Sequence, residues 1–172
     1  LLKYILQDYR VIYIKLADRL HNMKTLDYKS EAKRREKSAE TLRIFVPLAT
    51  HVGANIVRDE LADISFKYLN NRSYREIKGM SEDYKRKHIS EIEVTLNQLK
   101  NLLINNGITP EIRPHMMNRF AIYQGLIDNK KISLLPNLIS YHIMVENIDE
   151  LNIIAKKISE EFEIMPEYSK DF

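Results

Sequence analysis

The segment Lys15–Leu26 carries a carboxylate, an amide and a hydroxyl at helical spacing within an apolar sequence. Asp18 and Asn22 are four residues apart, and Thr25 follows three residues later. An α-helix turns by about 100° per residue, so the three side chains fall within a sector of roughly 60°. The neighbouring residues are mostly apolar, which predicts a buried helix. A buried carboxylate must be paired, hydrogen-bonded or bound to a metal ion, because an isolated buried charge is very costly.

Spacing alone leaves two interpretations of Asp18 open. It is either a metal ligand or a buried carboxylate paired with Lys15 or Arg19. His21 lies three residues further on and could reach the same ion or pack beside it. The five histidines show no paired spacing, and no His-Asp dipeptide occurs in the chain. The other ligands of a metal site are therefore not visible in this sequence.

The amino-acid composition limits which classes of protein this chain can belong to. The 172 residues suffice for one domain or two small ones. The absence of cysteine excludes disulfides and thiolate metal sites and agrees with a cytoplasmic location. No apolar run approaches the roughly 18 residues of a membrane span, so we expect no membrane partner. A net charge of +3 fits a polyanionic nucleotide, whereas direct nucleic-acid binding, which needs a denser basic face, is not expected.

A basic cluster follows the first segment. This cluster indicates a solvated helix face rather than a group of side chains that attracts phosphate. Its members are Lys29, Lys33, Arg34, Arg35 and Lys37.

Apolar periodicity predicts helices over 10–26, 31–50, 54–69, 73–80 and 82–105. Ser30 and Ser81 are the expected N-caps, and Pro47 is expected to kink or shorten the second helix. After Gly107 the pattern changes. We expect strands over 108–113 and 138–145, and helices over 114–127 and 150–162, the last capped by Asp149. The chain opens as if in mid-helix, so we expect the natural protein to begin further upstream.

Three segments carry a family resemblance. IKLADRLHNMKTL resembles the same segment of the RelA/SpoT homologues, enzymes that make and hydrolyse the alarmone (p)ppGpp. AETLRIFVPLA (39–49) and DELADISFKYL (59–69) resemble the two helices that follow it there. The resemblance implies that Asp18 is a ligand of the hydrolase Mn²⁺, with the other ligands upstream of this chain. It also implies that Asn22 and Thr25 line the nucleotide pocket and that His21 packs beside it. His51 stands where relatives usually have arginine.

The second half resembles the beginning of the family's synthetase domain, with several departures. EIRPHMMNRFAIYQGL (111–126) keeps four residues of one segment, namely Arg113, Pro114, Ile122 and Tyr123. In the strand region LLPNLISYHIMV (134–145), Asn137 stands where the family has the Asp that binds Mg²⁺, and His142 replaces an arginine. An amide is a poorer Mg²⁺ ligand than a carboxylate. Lys170 and Asp171 match a further segment. The resemblance thus implies a degenerate, truncated synthetase.

We therefore expect a mostly α fold. Residues 1–70 would form the C-terminal helices of an HD-type (p)ppGpp hydrolase domain, 71–105 connecting helices, and 106–172 a small α+β nucleotidyltransferase-like remnant. The implied function is (p)ppGpp metabolism in the stringent response. The resemblance implies that the Mn²⁺-dependent 3′-pyrophosphohydrolase activity is retained in part and that the synthetase activity is lost. The expected partner is (p)ppGpp or a related guanine nucleotide.

Whether the chain is itself an enzyme stays open. One carboxylate cannot define a metal site, so we expect this chain alone not to turn over (p)ppGpp. Two other interpretations stay open as well. One is a non-catalytic regulatory or scaffolding module of the same family. The other is an unrelated helical adaptor, which would require Asp18 to point into a closed apolar core.

Overall fold

The computed structural model of the protein describes residues 10–109, 111–128 and 131–163. Within these ranges the chain forms two compact units. The first unit contains the described residues up to Tyr84 together with Met117–Leu138, and the second contains Lys85–Met116 and the described residues from Ile139 onward. Helices dominate both units, and the second unit also contains a two-stranded sheet. This confirms the mostly α fold class.

The first unit begins with two helices joined by a short connection. Helix α1 spans Arg10–Lys24, a 3-10 turn spans Leu26–Tyr28, and helix α2 spans Glu31–Glu40. Ser30 caps α2 as expected, because its hydroxyl accepts a hydrogen bond from the backbone N–H of Lys33 at 3.4 Å.

A widened turn follows α2, which ends before Pro47, the residue expected to kink or shorten this helix. Residues Thr41–Phe45 form a π-helical turn, and helix α3 follows over Val46–His51 with Pro47 in its first turn. Proline has no N–H with which to extend a regular helical ladder. The preceding N–H, that of Val46, donates to the carbonyl of Thr41, five residues earlier. Such a turn is one of the known ways in which a helix accommodates an interruption.

Two long helices follow, and the last three residues of the second one, 85–87, belong to the second unit. Helix α4 spans Asn55–Leu69 and helix α5 spans Asn71–Lys87, with Asn70 accepting a hydrogen bond from the N–H of Ser73. The predicted break near Gly79 and Ser81 is wrong. Ser81 lies inside α5, buried, and its hydroxyl donates to the carbonyl of Lys78 at 2.9 Å. A serine that bonds back into its own helix does not act as an N-cap.

The last elements of the first unit are helix α7, Arg119–Asp128, and a 3-10 turn, Ile132–Leu134. Two apolar clusters hold the unit together. The first unites α1, α3 and α4 around Leu16, Met23 and Leu61. The second surrounds Phe66 of α4 and includes Ile122 of α7.

The second unit packs two helices against a two-stranded sheet. Helix α6 spans Ile89–Asn105, strands β1 and β2 span Glu111–Met116 and Ile139–Met144, and helix α8 spans Ile148–Glu161. The strands are antiparallel, with Arg113 opposite His142. The core of this unit is apolar and contains Leu99, Leu103, Ile112 and Ile154.

Three sequence expectations need correction in this region. The first strand begins at Glu111 rather than at 108, and the following helix begins at Arg119 rather than at 114. The cap of α8 is Asn147, whose side-chain oxygen accepts from the N–H of Glu150 at 2.8 Å, and not Asp149. Boundaries of this kind depend on pairing and packing that a single sequence does not show.

Candidate functional site

Asp18, Asn22 and Thr25 lie on an exposed stripe of α1 and the residue after it. The expectation that Asp18 is buried is wrong. Helix α1 buries Leu16 and Met23, while Ile14, four residues before Asp18, is 67% exposed. Apolar residues occur on several faces of α1, so composition overestimated how much of the helix is covered. The exposure of Asp18 also contradicts the helical-adaptor interpretation, which required a closed apolar core around it.

Arg19 pairs with Glu40 of α2 and not with Asp18. Both terminal nitrogens of Arg19 contact the Glu40 carboxylate at 3.1 Å, and Lys37 contacts it at 2.8 Å. Hydrogen bonds from Arg19 and Lys37 lower the pKa of Glu40 to about 2. The Arg19 guanidinium also lies 3.9 Å from the centre of the Phe45 ring. Asp18 itself makes no hydrogen bond or ion pair within the described ranges.

Asn22 and Thr25 line one cavity of about 230 Å³ between α1 and α2. We call it the asparagine–lysine cavity. Its other lining side chains are Leu26 and four cations, Arg19, Lys29, Lys33 and Lys37. The structure thus brings together two of the residues selected from the sequence and adds a set of positive charges around them.

The four cations of this cavity differ in how far they are neutralised. Arg19 and Lys37 share the single carboxylate of Glu40. Lys33 pairs with Glu36 at 3.0 Å. The ammonium group of Lys29 makes no ion pair with any residue that the structure describes. The cavity therefore keeps an excess of positive charge.

Thr25 reaches the cavity with its hydroxyl proton already committed to α1. The hydroxyl is within 3.2 Å of the carbonyl of His21 and 3.3 Å of that of Asn22. A hydroxyl that donates back to its helix keeps lone pairs that can accept a hydrogen bond. Toward a ligand, Thr25 in this rotamer therefore offers an acceptor.

Sequence reasoning missed the lysines as site residues because it treated the basic cluster as one solvated face. A partial signal was present: Lys33 and Lys37 are four residues apart in the predicted helix, which places their side chains on one stripe, whereas Lys29 lies before the helix. Arg34 and Arg35 fall outside that stripe and do not line the asparagine–lysine cavity.

The described residues do not complete a metal site. No group of three His, Asp or Glu side chains lies close enough to hold an ion in the part of the chain that the structure describes. His21 and His51 are both exposed, the first near Asp18 and the second at the end of α3. Asp18 is thus a single carboxylate without a partner among the described residues, about one helical turn before Asn22.

The two degenerate synthetase positions lie in different units. Asn137, in the first unit, is exposed in the turn before β2 and has a φ of +56°. His142, in the second unit, lies within β2 and stacks on His115 of β1, with ring centres 4.7 Å apart and planes 23° apart. Lys170 and Asp171 lie outside the described residues.

Comparisons with known proteins agree with the resemblance. Residues 1–55 match the HD domain family. The chain is 34% identical over 168 residues to a protein of Synechocystis named as a probable guanosine-3′,5′-bis(diphosphate) 3′-pyrophosphohydrolase, and the match covers 96% of this chain. It is 31% identical over 170 residues to a GTP pyrophosphokinase of Myxococcus xanthus. It is 29% identical over 167 residues to a guanosine-3′,5′-bis(diphosphate) 3′-pyrophosphohydrolase of Haemophilus influenzae.

The match to the first two proteins covers 22% of each relative's length, and the match to the third covers 25%. In all three cases it takes in 96% of this chain, including both compact units. None of the described helices is long and apolar enough to cross a membrane. Over 96% of its length, the chain is therefore similar to proteins of the RelA/SpoT homologue family.

Proposed function

We propose that this chain binds (p)ppGpp in the asparagine–lysine cavity, as the nucleotide-binding part of a (p)ppGpp 3′-pyrophosphohydrolase. One observation carries the proposal. Asn22 and Thr25, the residues that the resemblance assigns to the nucleotide, line the same cavity as four cations. The names of the Synechocystis and Haemophilus relatives, both guanosine-3′,5′-bis(diphosphate) 3′-pyrophosphohydrolases, support the same substrate class.

The chemistry of the cavity suits such a ligand. A nucleotide with two pyrophosphate groups carries several negative charges, which lysine ammonium groups bind as mobile point charges. The amide of Asn22 can donate and accept hydrogen bonds, and the Thr25 hydroxyl can accept one. Lys29, whose ammonium has no ion pair within the described ranges, needs to break no contact in order to reach a phosphate.

Asp18 is proposed as one ligand of a Mn²⁺ ion beside this nucleotide. It precedes Asn22 by four residues, which is about 6 Å along a helix axis. Its carboxylate has no competing partner among the described residues, and carboxylates suit Mn²⁺. Because these residues alone do not form a metal site, hydrolysis would require further ligands from elsewhere in the protein.

The synthetase side is proposed to be inactive. The neutral amide of Asn137 supports this, since it replaces a carboxylate with a weaker ligand for Mg²⁺. Its positive φ gives it a separate structural reason to be asparagine, the non-glycine residue that, with aspartate, best tolerates this conformation. We also propose a cytoplasmic location, which the cysteine-free composition supports.

Calorimetric titration of the 172-residue chain with ppGpp tests the proposal. We expect saturable binding that weakens about five- to tenfold in Asn22→Ala, because a hydrogen bond to a charged ligand is lost. Asn97→Ala is the matched control, since Asn97 is exposed on α6 of the second unit. Absence of binding, or equal loss in both variants, would contradict the proposal.

A further inference from the structure

A second cavity, of about 290 Å³, lies on a different face of α2 from the asparagine–lysine cavity. We call it the arginine–tyrosine cavity. It is lined by Asp27, Glu31, Arg34, Arg35, Lys67 and Tyr68, with Asn71 beside them. These side chains come from the connection after α1, from α2, from the end of α4 and from the start of α5, all within the first unit.

Three cations line this cavity, and two of them lack an ion-pair partner among the described residues. Neither Arg34 nor Lys67 has a carboxylate partner among the residues that the structure describes. Instead both lie near the ring of Tyr68, the Arg34 guanidinium at 5.7 Å and the Lys67 ammonium at 5.5 Å from its centre. Arg35 donates from one nitrogen to the carbonyl of Leu69 at 3.1 Å and keeps its other donors.

Of the two carboxylates in the lining, one is already engaged. Asp27 accepts a hydrogen bond from the Tyr68 hydroxyl at 2.7 Å. Burial, together with this carboxylate, raises the pKa of Tyr68 to about 12, so the hydroxyl stays protonated and holds Asp27 in place. Glu31 has no partner in the described ranges. The lining therefore carries three positive charges against two negative ones.

We propose that the arginine–tyrosine cavity is a second binding site, for a small anion with two or more phosphoryl groups. Arg34, Lys67 and the free donors of Arg35 would bind the phosphoryl oxygens, because arginine and lysine are the side chains that pair with phosphate. The volume is near the lower end, roughly 300 Å³, of pockets that hold small molecules. This site is independent of nucleotide binding in the asparagine–lysine cavity.

Site-resolved NMR of the ¹⁵N-labelled 172-residue chain tests this proposal. Inorganic pyrophosphate is the probe, added without divalent cations at an ionic strength of about 0.15 M. We expect saturable shifts at the backbone amides of Tyr68 and Asn71. The amides of Asn22 and Thr25 report separately on the asparagine–lysine cavity, so failure of one site is distinguishable from failure of the other.

Three variants are expected to change pyrophosphate binding in different ways. Lys67→Gln removes one phosphate-binding charge and should weaken pyrophosphate binding at Tyr68 about fivefold. Glu31→Gln removes a repelling carboxylate and should tighten binding there about twofold or more. Lys15 is exposed on α1 and lines neither cavity, so Lys15→Gln should leave pyrophosphate binding unchanged.

Unchanged amide shifts far from the cavity show that each variant is folded. The proposal is overturned if pyrophosphate shifts only Asn22 and Thr25, if no site saturates, or if Lys67→Gln and Lys15→Gln behave alike.

Discussion

The carboxylate of Asp63 on α4 caps the N-terminus of α7 through Arg119. It accepts hydrogen bonds from the backbone N–H of Arg119 at 2.7 Å and from its guanidinium at 2.6 Å. Asn118 completes the cap locally, with its side-chain oxygen 2.9 Å from the N–H of Ala121. The first N–H groups of a helix have no partner within it, so these bonds satisfy donors that would otherwise be unpaired. They also join segments 56 residues apart within the first unit.

Asp63→Ala should therefore lower the free energy of unfolding by about 2–3 kcal/mol, because it leaves a partly buried guanidinium and a helix N-terminus without their acceptor. Urea denaturation at neutral pH measures the change. Asp18→Ala is the matched control, since Asp18 is an exposed helical aspartate without a partner among the described residues, and it should change stability by less than about 0.5 kcal/mol. Similar losses in both variants would show that Asp63 is not a structural acceptor.

Glu40 gives a prediction that depends on pH. Its pKa is lowered from 4.5 to about 2 by Arg19 and Lys37, so its ion pairs add stability above pH 4.5 that is lost as pH falls toward 2. Because the Glu40 side chain is 31% exposed, solvent screening reduces the contribution to about 1 kcal/mol. Glu40→Gln should be destabilised by that amount at pH 7 and by almost nothing near pH 2.

Urea denaturation at several pH values follows the difference between the two proteins. Glu36→Gln is the control, because Glu36 pairs only with Lys33 on the exposed surface of α2. A Glu40→Gln deficit that stays constant down to pH 2 would indicate lost packing in place of lost charge.

The sequence predicted the relative placement of Asn22 and Thr25 better than it predicted burial. The spacing of Asn22 and Thr25 correctly placed them on one side of α1, because helical geometry fixes that relation whatever packs nearby. Burial depends on which faces neighbouring helices cover, and here Ile14 and Tyr13 are left exposed. The lysines show the same limit. Their four-residue spacing can be found in the sequence, but the cavity that they line depends on how the helices pack.

The start of α2 is an element boundary that a capping side chain made predictable. Ser30 was recognised because a serine before a charged helical run has one favoured use. Helices α5 and α6 are separated at His88. No proline or glycine marks this break, and the His88 side chain makes no cap hydrogen bond. Gly79 and Ser81 looked like a boundary, but Ile77 and Tyr84 on either side pack into the Phe66 cluster and keep the helix continuous.

Substitutions of Asn137 distinguish a structural role of this residue from a remnant of a catalytic site. Its φ of +56° predicts that Asn137→Ala costs about 1 kcal/mol, since alanine keeps the strained Cβ but lacks the short polar side chain that favours the left-handed region. Asn137→Gly should be nearly neutral, because glycine has no Cβ. Asn137→Asp should fold normally and gain no Mg²⁺-dependent nucleotide binding. Thermal denaturation and calorimetry measure the two effects. A gain of Mg²⁺-dependent binding in Asn137→Asp would instead show that a synthetase site persists around this turn.

Lys29 provides the sharpest test of charge in the asparagine–lysine cavity. Its ammonium lines the cavity without an ion pair in the described ranges, so Lys29→Gln removes attraction for a phosphate without breaking another contact. We expect ppGpp binding about three- to tenfold weaker at low ionic strength, where the Debye length is long. Near 1 M salt the Debye length is only about 3 Å, so the difference between variant and parent should largely disappear. Lys15→Gln should match the parent at both salt concentrations, because Lys15 lies outside the cavity. A Lys29→Gln deficit that persists unchanged in high salt would mean that Lys29 shapes the cavity and does not bind the nucleotide through its charge.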